Sequence, residues 1–438
     1  MLHGWARAAG MQIWRCGLVA GMAGCLALSV YAQPVGSAHS PIALQRKMLK
    51  EVLDLHPSIQ AARGQLSAAQ SEQQAARWQF FPTPSIGVEN SNNKLVTARD
   101  ARTRFLRIQQ PLWTGGRLTA QHDKAQAQEA VSESVMHEQR LSMSMRWIEA
   151  WAEAQAAEQR ILAYEESQQD HRKYVAQVRN RAIEGVAASS DIELSRSRLA
   201  AVMAELAQAR AQRQQALNKL QQLWGAALPD QAMDVLRQPH DIQLPEIGAD
   251  LPSLMEQVLQ RHPTLRRNLA LEQVLKADLD IARARYSPEV YLRHDSLHGD
   301  VTGSQRQLVI GLTSSYGAGL STIEAVASAQ ARLQAQGDEI LARRRDISEQ
   351  VQAELVQLQT QKARAEHLQA ALNTASVFLE SSTRQFAAGR RSWQELMNSA
   401  REKAQIRVQL ADARSQLWLV SERLKVLSLG TDNYLDLP

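Results

Sequence analysis

Two stretches of the sequence, 118–183 and 320–387, contain no proline, and Gly337 is their one interruption by glycine. Read as helices, at 1.5 Å per residue each is about 100 Å long. That is several times the width of an ordinary domain, so a chain holding both cannot wrap around one round core. A short non-helical stretch precedes each of them. In Phe80–Leu118, Pro82 and Pro84 close off the helix before it. Ser85–Asn90 and Phe105–Gln110 then alternate in polarity, and Pro111 with Gly115-Gly116 ends the second run. The same device returns from Tyr286-Ser287-Pro288 to Tyr316-Gly317-Ala318-Gly319-Leu320. The pattern predicts two β-hairpins, about 84–112 and 289–315, each spliced between helices.

The chain repeats itself. Val52-Leu53-Asp54-Leu55-His56-Pro57 matches Val258-Leu259-Gln260-Arg261-His262-Pro263, and Ala76-Arg77 and Pro82 fall on Ala282-Arg283 and Pro288. Leu106, Ile108, Gly115 and Leu118 fall on Leu308, Ile310, Gly317 and Leu320, with Gly185 on Gly389 and Gly225 on Gly430. A duplicated helix–hairpin–helix–helix unit accounts for this. Its copies cover 33–225 and 253–430, with a Pro-rich linker 226–252 and a tail 431–438. Each His-Pro opens a helix, over 58–80 and 264–286, since proline at the first helical position gives up no useful N–H. Gly185 and Gly389 mark reversals, after which helices return to Trp224 and Leu427. The two shorter helices of each copy together nearly match the long one, which predicts end-to-end stacking beside it. Linker and chain ends would then gather at the junction as a belt. Helix 118–183 holds twelve Ala and no Phe. Such thin seams suit a curved single-layer wall, and equally an Ala-rich coiled-coil rod.

The first residues read as an export leader: Arg7 and Arg15, an apolar Cys16–Val30, and cleavage after Val30-Tyr31-Ala32. Met11 is an alternative start, and Met22-Ala23-Gly24-Cys25 an alternative, lipoprotein-type signal lipidated at Cys25. Both cysteines lie in this leader, so a processed chain has neither disulfides nor thiol chemistry. Cleavage takes the formal charge from +5 to +3, and no Lys/Arg cluster with interleaved aromatics points to nucleic acid. HExxH, GxxxxGK[ST] and GxSxG are absent, and Gly317-Ala318-Gly319 repeats a turn, not a dinucleotide loop. His294 and His298 have only Asp295 and Asp300 as acidic company in a hairpin arm and loop, so no enzyme, cofactor or metal site is expected.

Within the hairpins Ile86 and Val88 share a face opposite Ser85, Gly87 and Glu89. Leu106 and Ile108 alternate with Phe105, Arg107 and Gln109, and Leu308, Ile310 and Leu312 with Gln307, Val309 and Gly311. Strands apolar on one side and polar on the other fit the wall of a membrane barrel. Trp78, Phe80, Phe81, Trp113, Tyr286 and Tyr316 stand where an interfacial girdle would lie. Four strands do not close a barrel, and open edges are not tolerated in lipid, so if these hairpins lie in a membrane, and not exposed on a soluble rod, the chain must oligomerise. A trimer supplies twelve strands.

The duplicated His-Pro openings, Gln110-Pro111-Leu112-Trp113-Thr114-Gly115-Gly116-Arg117 and the two Gly-centred reversals resemble the TolC-type outer-membrane channels of Gram-negative bacteria, across nearly the whole processed chain. The resemblance implies a mainly α fold with a β-hairpin pair, one third of a trimeric β-barrel continued by a periplasmic helical barrel. It implies a homotrimer in outer-membrane lipid, docked to a periplasmic adaptor and an inner-membrane transporter. The function implied is a passive exit duct, for type I protein secretion or multidrug efflux. Acidic residues after the second reversal narrow the mouth of such channels. Glu395 stands at one such position, Asn398 replaces the other, and Asp191 is the equivalent in the first copy. Carboxylates at these places equally suit a helix start. Gly185, Val186, Gly389 and Arg390 mark the tips an adaptor would touch. A soluble periplasmic coiled-coil adaptor or scaffold is the rival reading.

Overall fold

A computed structural model describes residues 41–91, 101–238, 242, 251–299, 303–314, 317 and 321–437. The leader with Cys25 and Ala32, and Tyr316, lie outside the described residues.

In chain order come α1 (Pro41–Leu55), α2 (Pro57–Trp78), β1 (Thr83–Ser91), β2 (Ala101–Trp113), α3 (Arg117–Ile183), α4 (Ser189–Trp224) and α5 (Asp230–Arg237). Then follow α6 (Leu251–Arg261), α7 (Pro263–Ala284), β3 (Glu289–Gly299), β4 (Gly303–Thr313), α8 (Ser321–Ala387), α9 (Trp393–Leu429) and α10 (Thr431–Leu435). The long helices α3 and α8 have 67 residues each, as their proline-free sequences require. No described helix is long and apolar enough to cross a membrane.

The helices form one layer. α3 packs between α2 and α4 on one flank and α7 and α9 on the other, and α8 packs on α7 and α9. The strands repeat this order as one antiparallel sheet, β1-β2-β3-β4. Each strand continues the line of a helix, so the wall passes from helix to sheet without a change of order. Among the described residues α8 has no extended packing with α2 or α4. Sheet and helical layer are therefore both open at the same two edges.

The largest core sits where the short helices meet. Ile59 at the start of α2 and Leu220 and Leu223 at the end of α4 pack in one cluster with Trp147, Ile148 and Trp151 of α3. The shorter pair thus stacks end to end beside the long helix. Met48, Leu49, Val52 and Leu53 of α1, Leu236 of α5, Trp418 of α9 and Tyr434 of α10 close around this junction. A buried network fixes it. Glu422, 1% exposed, accepts hydrogen bonds from Tyr434 Oη at 2.7 Å and Lys425 Nζ at 2.6 Å, with Arg46 of α1 at 3.6 Å. The seams above and below rest more on alanine and single aliphatic side chains, as between α8 and α9.

The short helices α1, α5, α6 and α10 add to the sequence pattern, which predicts helix beyond each His-Pro and gathers linker and chain ends at the belt without assigning them helix. Each short helix is held by what it packs on. The reading that Pro111 ends its run is also corrected: β2 continues through Pro111 to Trp113, with a register irregularity there. Proline lacks the ladder N–H, and a bulge is where a strand tolerates that loss. Pro84 similarly lies within β1, at a sheet edge, opposite Ile108.

The two His-Pro breaks differ chemically. His56 caps α2, its Nδ1 accepting the Ser58 N–H at 3.2 Å. His262 is buried at the start of α7, and its Nδ1 has no hydrogen-bond partner among the described residues. Burial lowers its pKa to about 4. Between the ordinary value near 6.5 and about 4, an unfolded chain binds a proton that the folded chain refuses, so stability falls as pH drops. We expect His262→Gln to lose about 2 kcal/mol less stability than the parent between pH 7.5 and 4.5. Denaturant unfolding at both pH values measures this, and parallel losses would refute it.

Candidate functional site

Register assigns every strand residue to one of two sheet faces. Ile86 pairs with Leu106, Leu106 with Ser296 and Ser296 with Arg306; one step along, Ile108 pairs with His294 and His294 with Leu308. Ile86, Val88, Leu106, Ile108, Leu308, Ile310 and Leu312 are exposed on this face, Ile86 by 83% and Ile310 by 73%. Alternation thus places an uncovered apolar surface on one side of the sheet.

The opposite face is polar. Asp295 at its centre is 1% exposed. Its carboxylate accepts from Arg107 Nε and Arg293 Nε, both at 2.8 Å, and from Gln307 Nε2 at 3.1 Å. This ladder crosses β2, β3 and β4 and fixes their register by charge. Two glycines on the same face lie beneath aromatic rings. A Cβ at Gly87 would collide with Phe105, and one at Gly311 with Tyr291.

Among the predicted girdle residues, Trp78, Phe80, Phe81, Trp113 and Tyr286 gather at the helix end of the sheet and are 41–68% exposed. Trp78 and Phe81 pack as a tilted pair with centroids 5.1 Å apart. The joint below them is tight. Gly115 has a φ of +60°, any Cβ there would strike Ser287, and Arg117 pairs with Glu289 at 2.7 Å.

At the far end of the helices, both reversals use the same closure. Gly185 and Gly389 have φ values of +77° and +75°. Val186 N–H reaches back to Arg181 O at 2.8 Å, and Arg390 N–H to Gln385 O at 2.9 Å. This six-to-one bond satisfies helix carbonyls that are otherwise orphaned, and it needs a left-handed residue where the glycines stand. The two tips touch one another. The Arg181 guanidinium stacks on Phe386 at 4.3 Å, and Tyr174, Val178, Leu379, Trp393, Leu396 and Met397 pack between α3, α8 and α9. Val186 is 70% exposed and Ile183 74%.

Asp191 and Glu395 occupy matching places in the first turns of α4 and α9. Asp191 accepts the Ala188 N–H at 3.3 Å, and the Glu395 N–H donates to Ser392 Oγ at 3.3 Å. Both therefore belong to helix starts. Glu395 has a further partner absent from the sequence reading: Arg391 Nε donates to its carboxylate at 2.7 Å. That arginine also bonds Ser382 and lies over the Phe378 ring at 4.7 Å. The four-residue spacing of Arg391 and Glu395 is the signal that would have revealed the pair. Asn398, one turn on, is exposed. His294 and His298 sit on the apolar face opposite Ile108 and Arg104, and no group of three or more ligating side chains occurs among the described residues.

Comparisons with known proteins agree with this architecture. Residues 48–226 match the family model described as outer membrane efflux protein. The fold is shared with CusC, described as undergoing conformational changes on folding and transmembrane channel formation, at 16% identity over 88% of this chain and 91% of that one (TM-score 0.78). It is shared with the Vibrio cholerae outer membrane protein VceC at 18% identity, over 89% and 96% of the two chains (TM-score 0.72). The Campylobacter jejuni outer membrane channel CmeC aligns at 13% identity over 92% and 90% (TM-score 0.73). No curated protein matches the sequence significantly. Residues 48–226 thus match the outer membrane efflux protein family model, and the chain shares the fold of these outer membrane channels over most of its length.

Proposed function

We propose that three copies of this chain assemble into an exit duct through the outer membrane and the periplasm. The observation that carries this reading is the pair of open edges. β1 and β4 leave one row of backbone groups unpaired on each side, while the side chains around them are apolar and exposed. In lipid such groups find no water, so each edge must pair with a neighbouring copy. Three four-stranded sheets close a twelve-stranded barrel, wide enough to leave an aqueous lumen. The helical layer, open at the same edges, closes with it into a tunnel. The apolar face then meets lipid, the Arg107–Asp295–Arg293 ladder lines the lumen, and the aromatics at the helix end form the inner interfacial girdle.

The duct is passive and works with a partner pump. The exposed Val186 and Ile183 beside Gly185, and Arg390 beside Gly389, give the tips a mixed apolar and basic surface that suits a periplasmic adaptor, itself coupled to an inner-membrane transporter. Protein secretion and drug efflux both use such a duct. The leader supports export, with cleavage near Ala32. Glu395, repeated around the axis, narrows the mouth only as far as Arg391 leaves its charge unmatched.

Detergent-extracted protein is expected to run as a trimer and to form ion-conducting pores in planar bilayers. A monomer that passes no ions would favour a soluble scaffold instead. Glu395→Ala frees Arg391 and removes three carboxylates from the mouth, so single-channel conductance is expected to rise and cation preference to fall. Unchanged conductance and selectivity would remove Glu395 from any gating role.

A further inference from the structure

The exposed face of the sheet is not apolar throughout. Arg102, Arg104 and Arg306 share it with the aliphatic residues and stand at the loop end, away from the helices. Register fixes their places: Arg102 opposite Asn90, Arg104 between Val88 and His298, and Arg306 opposite Ser296. All three are exposed. Among the described residues, the ion pairs of the sheet, Arg107–Asp295, Arg293–Asp295 and Arg117–Glu289, lie on the other face or at its helix end and involve none of them.

The face is therefore bounded unequally. At the helix end, Val290 and Leu312 pair beside the exposed aromatics. At the loop end the boundary is arginine. From Leu312 to Arg306 β4 rises about 20 Å at roughly 3.3 Å per residue, and Leu308, Ile310 and Leu312 fill the span up to the arginine. A band with rings at one limit and guanidinium groups at the other fits a bilayer whose two leaflets differ in headgroup. Rings suit an interface generally, whereas a guanidinium fork selects phosphate, which it binds by paired hydrogen bonds.

We propose that Arg102, Arg104 and Arg306 form a phosphate-binding rim for phosphorylated lipid of the outer leaflet. The inference rests on the reading that this sheet is embedded in lipid. Its recognition is electrostatic and bidentate, so it depends on headgroup phosphate and not on the acyl chains.

The test uses the full-length protein in detergent, titrated with diphosphorylated lipid A, with the same lipid dephosphorylated, and with inorganic phosphate. Native mass spectrometry reads lipid retention. The diphosphorylated form is expected to be held at least about tenfold more strongly, and R102Q/R104Q/R306Q to reduce that preference below about threefold. The charge-preserving R104K/R306K, which keeps the charge but not the paired hydrogen bonds, is expected to fall between parent and glutamine variant, which separates lost recognition from lost folding. Equal retention of the two lipids by the parent, or an unchanged preference in the glutamine variant, overturns the rim. Stabilisation by inorganic phosphate equal to that by lipid A also overturns it, because the site would then take free anions. Failure of the parent to insert into vesicles sinks the underlying membrane reading, and the rim with it.

Discussion

A strand edge buried away from water must find a partner, because each unpaired N–H or C=O there costs several kcal/mol. The architecture follows from that constraint. The sheet order β1-β2-β3-β4 is also the helix order, so the edges left open in the strands are left open in the helices. A compact monomer would fold back and cover them. This chain cannot fold back, because α3 and α8 are far too long and the layer is one helix thick. The length of two uninterrupted helices and the exposure of two strand edges are thus one structural fact seen at two levels.

Apolar burial is concentrated where it holds that layer in shape. The indoles of Trp147, Trp151 and Trp418 are fully buried at the junction of stacked helices, whereas the seams elsewhere rely more on alanine and scattered aliphatics. Alanine brings helices close but buries little area, so each stretch of seam contributes modestly. The Glu422 network works differently. A buried charge with several donors adds little net stability, yet it disfavours every arrangement that leaves the charge unpaired. It thereby specifies that α1 and α10 dock at the belt and not elsewhere along α9.

Long-range order was legible in the sequence, and local partnership was not. Missing prolines, paired glycines and alternating hairpin residues are strong periodic signals, and they placed α3, α8 and both reversals nearly to the residue and both hairpins within a few residues. The belt helices escaped because they are short and their stability comes from tertiary contacts. The i, i+4 recurrence of Leu44, Met48 and Leu49, Val52 and Leu53 was nonetheless available for α1. Pro111 misled because proline's rule against strand interiors carries an exception at bulges, which no local pattern announces. For Glu395, its place at a helix start was readable, while the attachment of Arg391 to Ser382 and Phe378 depends on how α8 and α9 meet across the turn.

The glycines beneath Phe105 and Tyr291 bear on the calibre of the proposed barrel. Because Gly87 and Gly311 have no side chain, the two rings can lie flat along the polar wall instead of standing away from it. An aromatic residue on the inner surface of a pipe ordinarily narrows it, but here the backbone gives up volume so that the ring can recline. In the proposed barrel, bore would therefore be set jointly by what each strand omits and by what its neighbour carries. A single added methyl group at either glycine would act as a shim, tipping the ring toward the axis.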